Sequence, residues 1–93
     1  MASMTLEQMR TIFHMGGLAA ARIVANGRRF HVVVSPRAGD SVMLVRHSDR
    51  APRPFSDPGT AIRMLHDIGF RTVTVETGAW SPDQAELKMS KAE

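Results

Sequence analysis

Four histidines, His14, His31, His47 and His66, are the side chains best suited to proton transfer or metal ligation, and their spacing supports neither. They fall on different expected elements or faces, apart from a diagonal between His31 and His47 across two strands. No cysteine or partner carboxylate completes a ligand set. His47-Ser48-Asp49 contains the residue types of a catalytic triad, but consecutive residues cannot adopt the orienter, base and nucleophile geometry. No strand is followed by G-x-G-x-x-G or G-x-x-x-x-G-K, so no phosphate-cradling loop is expected. Carboxylates are scattered, which leaves paired acid and base chemistry without a site. The expectation is a chain with no catalytic residue, no metal and no cofactor, and therefore not an enzyme.

Binding is the remaining class, and charge is its first indication. Ten of the twelve basic residues are arginine, and nine of these lie between Arg10 and Arg63 against only Asp40, Asp49 and Asp57. The planar guanidinium fork suits phosphate and carboxylate recognition better than the point charge of lysine, although a GC-rich genome gives the same bias. With 93 residues there is room for one core, and no apolar run reaches the roughly 18 residues of a membrane span. The absence of cysteine leaves that core to hold the fold without disulfides. Residues 1–4 read as a start or vector-derived segment, with no charged n-region or apolar h-region of a secretory signal, so the expected location is the cytoplasm. Residues 5–80 are expected to form one domain and residues 81–93 a tail, with a short helix starting near Ser81-Pro82 as an option.

Several local signals set the elements. Thr5-Leu6-Glu7-Gln8 is a capping box, and Leu6, Met9, Ile12 and Phe13 form a helical stripe ending at Gly16-Gly17, which predicts a helix over 6–15. Asn26-Gly27 between two apolar runs predicts a hairpin, with Ala25 opposite Arg28, Ile23 opposite Phe30 and Ala21 opposite Val32. A third strand is expected over 41–47, with Val42 and Leu44 inward and Arg46 awkwardly inward too. Two prolines make residues 48–55 a loop or a short edge segment. Asp57-Pro58 starts a second helix over 58–68 that stops at Gly69, and Val73 and Val75 alternate along a last strand over 71–77. The expected fold is a two-layer αβββαβ domain of the α+β class, with a mostly antiparallel sheet and both helices on one face.

Register assigns Ala21, Ile23, Phe30, Val32 and Val34 to the core face and Arg22, Val24, Arg29, His31 and Val33 to the other, where Met43, Val45 and His47 join them. A face half cationic and half apolar suits contact with a partner better than solvent or core. The candidate partner-binding residues are therefore Arg22, Val24, Arg29, His31, Val33, Met43 and Val45, with Arg50 and Arg53 from the loop that carries Phe55. A solvated face and a homodimer contact are the plainer alternatives. Sheets that bind nucleic acid by stacking need exposed aromatics, and this face has none, so a protein partner is expected ahead of nucleic acid. Trp80 is read as cover for one edge of the core, with a partner anchor as the alternative.

Arg53-Pro54-Phe55, the stretch Ala61-Ile62-Arg63-Met64-Leu65-His66-Asp67-Ile68-Gly69-Phe70, Val73-Thr74-Val75 and Trp80-Ser81-Pro82 together resemble the small ParC-type partition-associated proteins of plasmids and integrative mobile elements. The first half matches only in pattern. The resemblance implies a plasmid-maintenance accessory that acts through protein contacts rather than an enzyme. It also leaves open a related use as a stoichiometric inhibitor of a host defence complex, such as an anti-CRISPR protein, or as a DNA-binding regulator.

Overall fold

The computed structural model describes residues 2–81. The expected C-terminal helix beyond Ser81 lies outside these residues. The elements run β1 (Ala2–Met4), α1 (Leu6–His14), β2 (Leu18–Asn26), β3 (Arg29–Pro36), β4 (Val42–Leu44), α2 (Pro58–Ile68) and β5 (Thr74–Glu76). The sheet has the order β1-β4-β3-β2-β5. Its three central strands are antiparallel, and short parallel strands flank them, β1 on β4 and β5 on β2. The α+β class and the two helices agree with the sequence pattern, while β1 adds a strand in front of the expected order.

The capping box at Thr5 forms in both directions. The Gln8 amide donates to Thr5 Oγ1 at 3.4 Å, and the Thr5 amide donates to Gln8 Oε1 at 2.9 Å. Asp57 caps α2 by accepting from the Gly59 amide at 3.0 Å, with Pro58 in the first turn where a missing N–H costs nothing. Both helices send their apolar stripes to the same side of the sheet. Met9 of α1 and Ala61, Leu65 and Ile68 of α2 join Ile23, Val32, Val34 and Leu44 in one buried cluster. Each large side chain that is fully buried there contributes about 1.5–3 kcal/mol. Phe55 and Phe70 belong to the same cluster, as does Met4 at the end of β1.

The hairpin register differs from the expected one. Asn26 pairs with Arg29, Ala25 with Phe30, Ile23 with Val32 and Ala21 with Val34, so the two-residue loop is Gly27-Arg28 rather than Asn26-Gly27. Gly27 has φ 65°, and neither Asn26 nor Arg28 is left-handed. That combination is a turn of the II′ kind, which needs glycine only at its first central position. Every partner shifts by two residues, which equals the side-chain period, so the assigned faces survive the correction. The third strand is shorter than expected and stops at Leu44. Arg46 thereby leaves the sheet for solvent, where its guanidinium meets Asp49 through Nε at 3.1 Å and Nη2 at 2.9 Å. Residues 45–52 make a separate excursion held by the Val45–Pro52 bridge. The chain then returns to pair Phe55 with Phe30 through two 2.8 Å hydrogen bonds.

Gly69 ends α2 at φ 137°, and a side chain there would collide with the ring of Phe13 on α1. Phe13 in turn lies 4.8 Å, centroid to centroid, from Phe70. Gly16, also left-handed at φ 79°, has open space around it. Gly69→Ala should therefore cost more than Gly16→Ala: about 2 kcal/mol or more against about 1 kcal/mol. Urea unfolding of the two variants checks this, and equal losses would show that the Phe13 contact contributes nothing.

Candidate functional site

The face of the sheet turned away from the helices collects most of the residues that the sequence proposed. Alternation along β2 places Arg22 and Val24 there, and β3 supplies His31 and Val33. Met43 pairs with Val33 from β4, while Thr74 and Glu76 pair with Arg22 and Val24 from β5. Val24, His31 and Met43 are half-buried, and no described element covers them. Val33, in the middle strand, is only 2 % exposed yet lies outside the helix-side core. Its flanking partners are Arg22 and Met43, whose long side chains can lie over an apolar neighbour while keeping their ends in water. Val33 is thus the floor of the face and not a contact residue.

Arg22 is committed within the face. Its Nη1 donates to Glu76 Oε2 at 3.0 Å, while its Nε is buried without a hydrogen-bond partner among the described residues. With both side chains about one-third to one-half exposed, this pair is worth at most about 1 kcal/mol. Arg29 is exposed at the hairpin end, and among the described residues it forms no ion pair.

The remaining candidates sit elsewhere. Val45 is buried at 4 % exposure in its bridge to Pro52, and its amide donates to the Met4 carbonyl at 2.9 Å. It therefore offers no surface. His47 falls in the turn after β4, outside the sheet, because the strand ends early. Arg50 is exposed in the same excursion with φ 61°, a left-handed conformation unusual for a side-chain-bearing residue. Arg53 stacks over the Phe55 ring with its guanidinium carbon 5.1 Å from the centroid and places Nη1 3.9 Å from Met64 Sδ of α2. It belongs to the helix side. The reading of Phe55 as a core residue under the second helix agrees with its burial.

Two residues were not foreseen in their places. Glu76 faces Arg22 because β5 lies parallel to β2, a neighbour 54 positions away in sequence. Arg28 occupies the hairpin tip beside Trp80, which is half-exposed rather than sealed against the core. The Gly27-Arg28 turn was a usable signal for Arg28; nothing local announces Glu76.

Among the described residues two ionisable groups depart from their ordinary behaviour. Burial holds the His31 imidazole below its ordinary pKa of 6.5 by disfavouring the charged form. The Ala51 amide, and after it the Arg46 guanidinium, hold the exposed Asp49 carboxyl below 3.8. These groups sit on different elements and form no acid and base pair. No group of three His, Cys, Asp or Glu among the described residues is placed to hold a metal ion. None of the described helices is long and apolar enough to cross a membrane. The chain matches no protein-family model, no curated protein and no solved structure.

A histidine whose folded pKa is depressed takes up its proton more readily when unfolded, so its contribution is present above 6.5 and is lost as pH falls through the folded pKa. Stability should drop between neutral pH and mildly acid pH, above the range in which Asp49 titrates. In His31→Gln that slope should flatten. Urea unfolding across this range decides it, and an unchanged slope in the variant would rule out His31 as its source.

Proposed function

We propose that this chain is a non-enzymatic binding protein whose open sheet face takes an apolar patch rimmed with acidic residues on another protein. The observation that carries this reading is the composition of the uncovered face. Val24 and Met43 give half-buried apolar contact over a buried Val33 floor, and His31, Arg22 and Arg29 border it. Glu76 is the acid that β5 brings to this face, and it is neutralised by Arg22. The charge left unpaired on the face is the Arg29 guanidinium, so a partner with an acidic rim matches it, whereas a second copy of the same face brings its Glu76 already engaged by Arg22.

The biological setting we propose is plasmid partition or maintenance, supported by the residue resemblance over 53–82. Inhibition of a host defence complex uses the same kind of surface, and the identity of the partner separates the two. A duplex-binding regulator would instead show a gel shift that weakens steeply with salt.

Val24→Glu with Met43→Glu places two carboxylates on the face without touching the helix side. This double variant should abolish capture of the partner from cells that carry the gene, while Ile62→Glu, on the exposed side of α2, should leave capture intact. Retention of the same partner by the face variant, or equal loss with Ile62→Glu, would sink the outer-face reading. Sedimentation should show a monomer; a dimer dissociated by the face variant would assign the face to a second copy instead.

A further inference from the structure

The hairpin tip holds a groove separate from the apolar centre of the sheet face. After β5 the chain continues parallel to the end of β2 and reaches the tip. Gly27 donates to the Ala79 carbonyl at 2.9 Å and accepts from the Ser81 amide at 2.7 Å, which holds Trp80 beside the turn. The indole lies 6.0 Å from the Phe30 ring, centroid to centroid, and remains 46 % exposed. Arg28 and Arg29 project from the turn on the same groove, with Ser56 and Pro58 opposite, enclosing about 570 Å³. Among the described residues no carboxylate lines it. The nearby Asp57 is engaged in capping α2. Neither arginine forms an ion pair or a side-chain hydrogen bond among the described residues, so the groove concentrates two uncommitted guanidinium groups next to one accessible aromatic surface.

From this combination we infer that the tip groove binds single-stranded nucleic acid, with a base stacked on Trp80 and the adjoining phosphates on Arg28 and Arg29. The cations alone would serve an acidic peptide equally well. The exposed indole favours nucleic acid, because every base offers a flat face to stack on and an acidic side chain offers none. The single strand is favoured over the duplex because a base can reach the indole only when it is free to leave its own stack.

The chain contains one tryptophan, so its fluorescence reports on this groove alone. Titration of the full chain with a thymidine oligomer of about a dozen nucleotides, in ~20 mM salt, should quench Trp80 saturably, and two phosphate contacts predict a slope of log K against log salt near −1.4. Arg28→Ala should bring that slope to about −0.7. Trp80→Ala, followed by anisotropy of a labelled oligomer, should weaken binding roughly 5- to 150-fold. Because Trp80 packs against Phe30, that variant can also loosen the fold; Arg28→Ala, on an exposed turn, decides the question without that complication. Val24→Gln with Met43→Gln, which adds no charge near the groove, should leave quenching unchanged, which separates this site from the protein-binding face. Absence of quenching, equal quenching by the same sequence as duplex, or equal quenching by polyglutamate would each overturn the assignment, the last in favour of an acidic protein segment.

Discussion

The β2–β3 ladder carries eight paired positions, and every other element is placed by reference to it. Alternation along this ladder sends Ala21, Ile23, Ala25, Phe30, Val32 and Val34 to one side, where both helices close over them. The same alternation sends Arg22, Val24, His31 and Val33 to the other. A slip of one residue would exchange the two sets and bury charge among the helices. The side-chain period of two thus ties the stability of the core to the chemistry of the opposite face.

The edges show how a short chain completes such a sheet. β1 and β5 have three residues each and pair in parallel with their neighbours, so each edge exposes only a brief unpaired backbone. β5 has a second effect, since it delivers Glu76 to Arg22 and sets the charge balance of the open face. Beyond β5, the Gly27 amide donates to the Ala79 carbonyl and the Ser81 amide donates to the Gly27 carbonyl, which brings Trp80 to the hairpin tip. The end of the ladder and its middle therefore present different surfaces: cationic and aromatic at the tip, apolar with a basic border at the centre.

The two proposed sites would use different chemistries on one scaffold. Binding at the central face would rest mainly on burial of aliphatic surface, and binding at the tip on guanidinium groups, whose attraction to phosphate is screened by salt. Arg29 stands at the boundary and can serve either. The excursion through Arg46–Pro52 belongs to neither surface. Its internal Arg46–Asp49 pairing and its hydrogen bond from the Ala51 amide hold it as a self-contained loop.

Local rules were sufficient where one residue type has one conformational use. The Thr5 and Asp57 caps, the bounds of α2, the stop at Gly69 and the hairpin itself were all legible in sequence, because capping oxygens and left-handed glycines act within a few residues. The two sheet faces were legible as well, since a register error of two leaves alternation intact. What tertiary structure decided was everything that depends on distant pairing. It ended β4 at Leu44 and turned Arg46 outward, buried Val33 and Val45 among the expected contact residues, and moved Arg53 to the helix side. It also joined Glu76 to Arg22 and Trp80 to Arg28 across about fifty residues of chain. The physical reason is the same in each case: strand pairing and burial are set by which segments meet in space, and neither residue type nor spacing encodes that meeting locally.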